Sequence, residues 1–139
     1  MARRDATHEE APARRVTFTF DTGMLIALER RKPRAVEALR AITHRDLTPI
    51  VPAVVYVEWW RGRTDVREEV LALVEVEEMT PALCRAAGEA LGAVHGASVV
   101  DAVVMASAAL RGGGVVYTSD VDALALLQRR FPTVRILPV

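Results

Sequence analysis

VTFTFDTGMLIALERR, residues 16–31, is the segment from which the architecture of this chain can be worked out. Residues 16–20 are all β-branched or aromatic, which is typical of a buried strand. From Thr22 onward the apolar residues recur at helical spacing, so the strand passes directly into a helix. Asp21 stands at the junction between the two. The segment therefore predicts a strand followed by a helix, with an acid at the carboxyl end of the strand.

The rest of the chain repeats this change from strand to helix. Strands are predicted at residues 48–51, 74–79, 115–118 and 134–137, and helices at residues 34–44, 53–60, 66–73, 81–91, 99–110 and 120–130. Pro52 and Pro81 stand at favoured helix starts, and Gly62 and Gly112 stand at helix ends. Helix 99–110 is apolar on nearly every face, as expected of a central buried helix. The alternation predicts an α/β fold with a mostly parallel sheet covered by helices on both faces.

Length and composition are those of a single globular domain. The chain has 139 residues, of which 51% are hydrophobic, and this suffices for one core. Residues 1–15 mix charges of both signs without a period, so we expect a flexible tail before one domain at residues 16–139. Apolar runs stay below 18 residues and the N-terminus lacks a signal peptide, so we expect neither membrane insertion nor export. The single cysteine, Cys84, fits a reducing cytoplasm and is expected to be a buried structural thiol.

The charge balance gives no sign of the basic excess that many nucleic-acid binders carry. Basic and acidic residues number 18 each, and Lys32 is the only lysine, so any nucleic-acid contact must come from local arginine patches. Arg61 and Arg63, just past the AVVYVEWW helix, are candidates for holding the phosphates of a nucleic acid, although exposed arginines after a helix are more often solvated charges. Trp59 and Trp60 could stack on bases or bind a partner. Because adjacent helical residues point in different directions, one of the two is expected in the core.

Four acidic residues stand where α/β proteins place their ligand sites. Asp21 and Asp120 follow predicted strands, and ligands bind beyond the carboxyl ends of parallel strands. Asp101 and Glu58 interrupt otherwise apolar helices. Burying a carboxylate without a partner costs roughly several kcal/mol of folding free energy, and a shared metal ion would offset that cost. Ligation by carboxylate oxygens suits Mg²⁺ or Mn²⁺, whereas the sequence has no clustered histidines and cysteines that would suit zinc.

Each acid also has a purely structural explanation. Asp21 can cap the helix that follows it. The segments SVVD, residues 98–101, and SDVD, residues 119–122, match the capping box, in which a serine begins the helix. Glu58 can form an internal salt bridge with an arginine. The sequence leaves both interpretations open for each residue, but four such acids together favour a site over coincidence.

At this point the chain resembles a known family. Four blocks resemble, in this order, the acidic motifs of PIN domains: FDTGMLIAL (residues 20–28), PAVVYVE (52–58), VVDAVVMA (99–106) and YTSD (117–120). The resemblance is closest to toxins of the VapC type and covers nearly all of residues 16–139. It implies a Rossmann-like, three-layer α/β/α fold and Mg²⁺- or Mn²⁺-dependent endoribonuclease activity. It also implies a homodimer and a cognate antitoxin whose C-terminal peptide covers the site.

The resemblance assigns roles to particular residues. The metal-binding and catalytic acids of the family correspond to Asp21, Glu58, Asp101 and Asp120. Asp122 follows where some members carry a further acid and is therefore a secondary candidate. The hydroxyl residue that precedes the last acid and orders the site in the family corresponds to Thr118 or Ser119.

Three alternatives compete with a PIN nuclease. The tripeptide DTG, residues 21–23, is also found in retroviral-type aspartic proteases, but that fold is all β. A phosphotransferase with an aspartyl nucleophile normally has a second acid two residues after the first, where Gly23 stands, and a lysine near the site. The third alternative is a PIN-like RNA- or protein-binding module without catalysis. It is disfavoured because all four acids are present.

Overall fold

The computed structural model describes residues 16–61 and 68–139. The predicted flexible tail at residues 1–15 and the candidate Arg63 lie outside the described residues. Within the described ranges five strands form one sheet in the order β3-β2-β1-β4-β5, and every neighbouring pair is parallel. The strands are β1 (Phe18–Phe20), β2 (Ile50–Pro52), β3 (Glu75–Glu77), β4 (Gly114–Thr118) and β5 (Val134–Pro138).

Helices connect these strands, so the predicted α/β fold with a parallel sheet is confirmed. The described helices are α1 (Thr22–Glu29), α2 (Pro33–His44), α3 (Ala53–Trp60), α4 (Glu68–Leu71), α5 (Pro81–Ala93), α6 (Val99–Leu110) and α7 (Val121–Ala125). None of the helices in the described ranges is long and apolar enough to cross a lipid bilayer.

Helix α6 is the centre of the core, as its composition predicts. Its residues 102–108 are all buried, and the helix packs against β1, β2, β4 and β5. Ser107 is the one polar side chain in this buried run. Its hydroxyl lies 2.6 Å from Glu77 Oε1 and accepts a hydrogen bond from Arg111, which also pairs with Glu77 at 2.8 Å. The polar groups inside this part of the core are therefore satisfied by one another.

Strand β1 contributes side chains to both faces of the sheet. Side chains alternate along a strand, so Thr19 points to one face and Phe18 and Phe20 to the other. Thr19 accepts a hydrogen bond from Arg111 at the end of α6, whereas the two phenylalanine rings contact Tyr117 of the neighbouring strand. The carboxyl ends of β1 and β4 thus lie side by side, with Phe20 paired to Tyr117.

Two predictions from the sequence are wrong in detail. The helix predicted at residues 120–130 ends at Ala125, and the chain continues to Arg130 in turns with bonds between residues three apart. These tighter turns place the buried Leu124 and Leu127, three residues apart, on one side. Cys84 is exposed instead of buried. Helix α5 turns Leu83, Ala87 and Ala90 towards the core, and Cys84 falls outside that spacing.

Candidate functional site

Two of the four acids meet at the carboxyl edge of the sheet. Asp21 follows β1 and Asp120 follows β4, and these strands are neighbours. The backbone N–H of Asp21 donates to the carbonyl of Tyr117 at 3.4 Å, which continues the pairing of the strands into the site. The predicted position of both acids beyond strand ends is what the structure shows.

Asp21 is a buried carboxylate held by neutral donors. Its side chain is 7% exposed, and its Oδ1 accepts a hydrogen bond from the N–H of Met24 at 2.9 Å. The pKa of Asp21 is raised from 3.8 to about 6, chiefly by burial; the charges of Asp101 and Glu58 act in the same direction, and the hydrogen bonds from Thr118 and Met24 act against it. The ionised form of Asp21 is thus less stable in this fold than it is in water.

The hydroxyl of Thr118 connects the first and last acids. Thr118 is fully buried at the end of β4, and its Oγ1 accepts a hydrogen bond from the N–H of Asp120 at 2.9 Å. The same side chain hydrogen-bonds the carboxylate of Asp21. Of the two candidates for an orienting hydroxyl, Thr118 therefore contacts both acids.

Ser119, the other candidate, has a different neighbour. A Cβ built on Gly23 in the first turn of α1 would overlap Ser119 Oγ and would lie 2.9 Å from Ser119 Cβ and 3.1 Å from its backbone nitrogen. The loop after β4 can approach the start of α1 only because residue 23 has no side chain. This close approach brings the loop that carries Asp120 next to Asp21.

We predict that Gly23→Ala destabilises the fold by about 1–3 kcal/mol, because the new methyl group displaces Ser119. Alanine would otherwise stabilise a helix by about 1 kcal/mol relative to glycine, so the sign of the effect reports the contact. Urea unfolding measures it. Gly88→Ala in α5 is the matched control, since a Cβ there meets nothing within 4 Å, and it should stabilise. Equal stabilisation by both substitutions would contradict the close approach, whereas Ser119→Gly should relieve the damage in the double variant.

Glu58 lies in the last turn of α3, half-buried. Its Oε1 accepts a hydrogen bond of 2.5 Å from the hydroxyl of Thr22, the first residue of α1. The predicted structural alternative was a salt bridge with an arginine. Within residues 16–61 and 68–139 Glu58 forms no such bridge, so its hydrogen-bond partner is a neutral hydroxyl.

Asp101 lies in the first turn of α6, and Ser98 caps that helix. The hydroxyl of Ser98 accepts from the N–H of Asp101 at 3.0 Å, which is the serine half of the predicted capping box. The pKa of Asp101 is raised by burial and by the charges of Glu58 and Asp120, while the hydrogen bond with Ser98 lowers it. Asp101 therefore lies within electrostatic reach of both the second and the fourth acid.

The capping interpretation is confirmed at α1 and needs correction at α7. Asp21 caps α1, but α7 is capped by Asp120, whose Oδ1 accepts from the N–H of Ala123 at 3.1 Å. The predicted box with Ser119 as its first residue is wrong, because Ser119 lies against Gly23 and the helix starts one residue later. Asp122 is exposed in the first turn of α7.

The four acids form one region of negative potential. The charges of Asp101 and Glu58 raise the pKa of Asp21, and the charges of Glu58 and Asp120 raise the pKa of Asp101. However, no three acidic, histidine or cysteine side chains of the described residues converge closely enough to hold a metal ion as they stand. Each acid is instead bound to a nearby hydroxyl or backbone N–H. The four negative charges are therefore close enough to influence one another, but the side chains as they stand do not form one set of metal ligands.

An apolar groove lies on the outer face of α3. Its volume is about 480 Å³, and it is lined by Ala53, Tyr56, Val57, Trp60 and Arg61. Trp60 contributes to this groove, whereas Trp59 is buried and donates from Nε1 to Glu29 Oε1 at 2.8 Å. The prediction that one of the two tryptophans belongs to the core is thus confirmed. Arg61, a candidate for phosphate contact, is exposed at the end of α3 and belongs to the groove.

Sequence reasoning missed the parts played by two residues next to Asp21. Thr22 bonds to Glu58, and Gly23 admits Ser119. A hydroxyl beside an acid at a strand end was a usable signal for Thr22. The contact of Gly23 depends on a loop almost a hundred residues away, which local patterns do not reveal.

Comparisons with known proteins bear on the family and on the fold. The family model for the PIN domain matches residues 18–128. The structure of VapBC2 from Rickettsia felis bound to a DNA fragment from their promoter has a chain that superposes with a TM-score of 0.69 at 12% identity, covering 89% of this chain and 99% of that one. DNA-bound VapBC from Salmonella typhimurium gives a TM-score of 0.66 at 18% identity, covering 89% and 98%.

These likenesses differ in what they establish. No curated protein matches the chain by sequence. At 12% and 18% identity the two solved structures show a common fold and nothing more. The family model, in contrast, spans most of the chain and contains Asp21, Glu58, Asp101 and Asp120. On this ground the chain belongs to the PIN domain family.

Proposed function

We propose that this chain is a Mg²⁺- or Mn²⁺-dependent endoribonuclease, the toxin of a toxin-antitoxin pair. The observation that carries the proposal is Asp21, a buried carboxylate whose pKa is raised to about 6 in the field of two further acids at the carboxyl edge of a parallel sheet. A buried charge beside like charges is unfavourable for folding, and such arrangements concentrate at functional sites. Membership of the PIN family supports the same conclusion.

The donor set fits a hard divalent cation. Asp21, Glu58, Asp101 and Asp120 offer carboxylate oxygens, which Mg²⁺ and Mn²⁺ prefer, and Asp122 is a secondary donor. When bound, such an ion polarises the phosphodiester and supplies an acidified water. Because the acids do not converge in the described residues, their side chains would have to rotate before they could hold one cation together.

The protein's own residues prepare this site by fixing what surrounds the acids. Thr118 hydrogen-bonds the carboxylate of Asp21 and accepts from the N–H of Asp120, while Oδ1 of each of these two acids accepts a backbone N–H at a helix start. Burial of Asp21 excludes water from one side of the acids and strengthens their electrostatic interactions. The substrate phosphates, which are anionic, would approach only where a cation offsets the acids.

We further propose that the groove on α3 receives the cognate antitoxin. Val57 is 70% exposed in its floor, and an apolar groove of this kind fits the apolar face of a partner segment. The segment we expect carries an aromatic anchor for the groove and a basic side chain that reaches the acids. The similar solved structures are VapBC assemblies, which supports a partner of this kind. A homodimer and a cytoplasmic location complete the proposal.

The proposed activity predicts metal-dependent cleavage of RNA by the purified chain. We expect Mg²⁺ or Mn²⁺ to support cleavage of mixed cellular RNA, chelation to abolish it, and DNA of equal length to be cut far more slowly. Asp101→Asn should reduce the rate by about 10³-fold, since it removes one charge from the shared site. Glu89→Gln, an exposed acid on α5, is the control and should cleave like the wild type.

A different result would favour a different class of protein. The lack of convergence among the acids is the observation that favours a PIN-like binding module without catalysis. A folded chain that binds RNA or a partner protein, yet cleaves no RNA with either ion, would establish that alternative. Cleavage that persists at full rate in Asp101→Asn would show that the activity arises elsewhere, for example from a contaminating nuclease.

A further inference from the structure

The last turn of α3 is tied to α1 by two side-chain hydrogen bonds. Thr22, the first residue of α1, donates to Glu58 at 2.5 Å, and Trp59 donates to Glu29, the last residue of α1, at 2.8 Å. Residues 58 and 59 are adjacent, so two neighbouring side chains of one helix reach the opposite ends of the other. These bonds fix the rotation of α3, which determines where Glu58 points.

The bond from Thr22 is unusual for a threonine at a helix start. Such hydroxyls commonly bond to backbone groups a few residues away. Thr80, which caps α5, shows the common case at a helix start, since its hydroxyl accepts from the N–H of Leu83 at 3.2 Å. Thr43, in the last turn of α2, also bonds locally, to the carbonyl of Leu39 at 2.9 Å. The hydroxyl of Thr22 instead donates to a carboxylate 36 residues away along the chain. A hydrogen bond to a charged acceptor is shorter and stronger than a neutral one.

We propose that Thr22 is a positioning residue for Glu58, an inference that rests on the proposed metal-dependent nuclease. Its hydroxyl holds Oε1 of Glu58 and leaves Oε2 as the oxygen that Glu58 presents to a divalent cation. Thr22 directly follows Asp21 in sequence, so the junction between β1 and α1 positions two acids. Asp21 belongs to that junction, and Glu58 is held there by the hydroxyl of Thr22. The first and second acids are thereby held in a fixed relation, although Asp21 precedes α1 and Glu58 lies in α3.

Thr22 would thus orient a metal ligand without touching the ion itself. Groups that orient metal ligands without touching the ion commonly change affinity or activity by about 10-fold to 100-fold when removed. The structure gives Thr118 this part for Asp21, and Thr22 supplies the corresponding contact for Glu58. Each of these two acids therefore has its own buried or half-buried threonine as donor.

The test compares Thr22→Val, which keeps the shape and removes the hydroxyl, with Thr22→Ser, which restores a hydroxyl. The readouts are Mn²⁺ binding to the purified chain, measured by the electron paramagnetic resonance of free Mn²⁺, and the kcat and KM of RNA cleavage. We expect Thr22→Val to weaken Mn²⁺ binding by about 10-fold and to lower kcat more than it changes KM, and Thr22→Ser to recover most of both. Thr43→Val, which removes a hydroxyl of the common type, should behave like the wild type.

The outcomes separate this inference from the proposed function. Wild-type Mn²⁺ binding and kcat in Thr22→Val would overturn the positioning role and leave the nuclease intact. A loss that Thr22→Ser does not recover would also overturn it, because the hydroxyl would then be irrelevant. If the wild type itself neither binds Mn²⁺ nor cleaves RNA, the proposed function fails and this inference fails with it. Should Thr22→Val fold poorly by circular dichroism, Thr22→Ala gives the same comparison without the branched side chain.

Discussion

Asp21→Asn should lower the rate of RNA cleavage by about 10³-fold or more and, at the same time, raise the stability of the metal-free protein above pH 6. The two effects have one cause, which is the charge of a buried carboxylate. Asparagine has nearly the same shape and is as good a helix cap as aspartate, so the bond to the N–H of Met24 is kept. Only the charge that would bind a cation is lost.

The size of the stabilisation follows from the pKa of Asp21. Folding raises this pKa from 3.8 to about 6, so above pH 6 the fold must carry a charge that it disfavours. Each pKa unit corresponds to about 1.4 kcal/mol, which sets an upper bound of about 3 kcal/mol on the gain from removing the charge. If Asp21 were only a cap, asparagine would leave the rate of RNA cleavage unchanged, because it caps a helix as well as aspartate does.

Two comparisons make the result specific. Asp46→Asn changes an exposed acid whose backbone lies in the left-handed region, which asparagine tolerates, so neither stability nor cleavage should change much. The double variant Asp21→Asn with Asp120→Asn should be hardly less active than Asp21→Asn alone, because both acids act on one centre. Thermal unfolding with chelator and cleavage of mixed RNA measure both effects. Full cleavage by a folded Asp21→Asn would end the proposal of a carboxylate site.

The sequence predicts the parts of this fold that depend on local periodicity. The strands, the buried helix α6 and the junction at Asp21 follow from residues within a few positions of one another. The end of α7 does not, because the packing of Leu124 and Leu127 overrides a helical pattern that continues to residue 130. Cys84 was misplaced for a related reason, since its helix is apolar in composition but buries only one stripe.

The same distinction between local pattern and tertiary packing applies to the candidate site. The four acids can be found from sequence because each interrupts an apolar pattern or follows a strand. Their partners cannot, because these depend on which helix faces which: the sequence leaves a salt bridge with an arginine open for Glu58, whereas the structure has the hydroxyl of Thr22 as its partner. The same applies to α7, where local sequence allows Ser119 or Asp120 as the cap. The approach of Ser119 to Gly23 decides between them.

The stability of the metal-free protein should fall as the pH rises from about 4 to about 6, and Mn²⁺ or Mg²⁺ should restore it. An acid whose pKa is raised by folding binds more protons in the native than in the unfolded state between its two pKa values, so stability declines across that window and levels off above it. Asp21 defines the window through its values of 3.8 and about 6, and the raised pKa of Asp101 acts in the same direction. The decline from Asp21 amounts to at most about 3 kcal/mol.

A cation that binds the ionised acids reverses this decline by mass action. At a concentration one hundred times its dissociation constant, an ion stabilises the fold by about 2.7 kcal/mol, which raises the melting temperature by several degrees. The rise should be larger at pH 7 than at pH 5, because protonated Asp21 is a poor ligand. Asp21→Asn is the matched control and should show both a smaller decline with pH and a smaller rise with Mn²⁺.

A melting temperature that neither Mg²⁺ nor Mn²⁺ changes, while zinc raises it, would contradict a hard-cation site. A decline with pH that persists in Asp21→Asn would assign the buried charge to another group, and Asp101, whose pKa is raised by the same causes, would then be the acid to substitute.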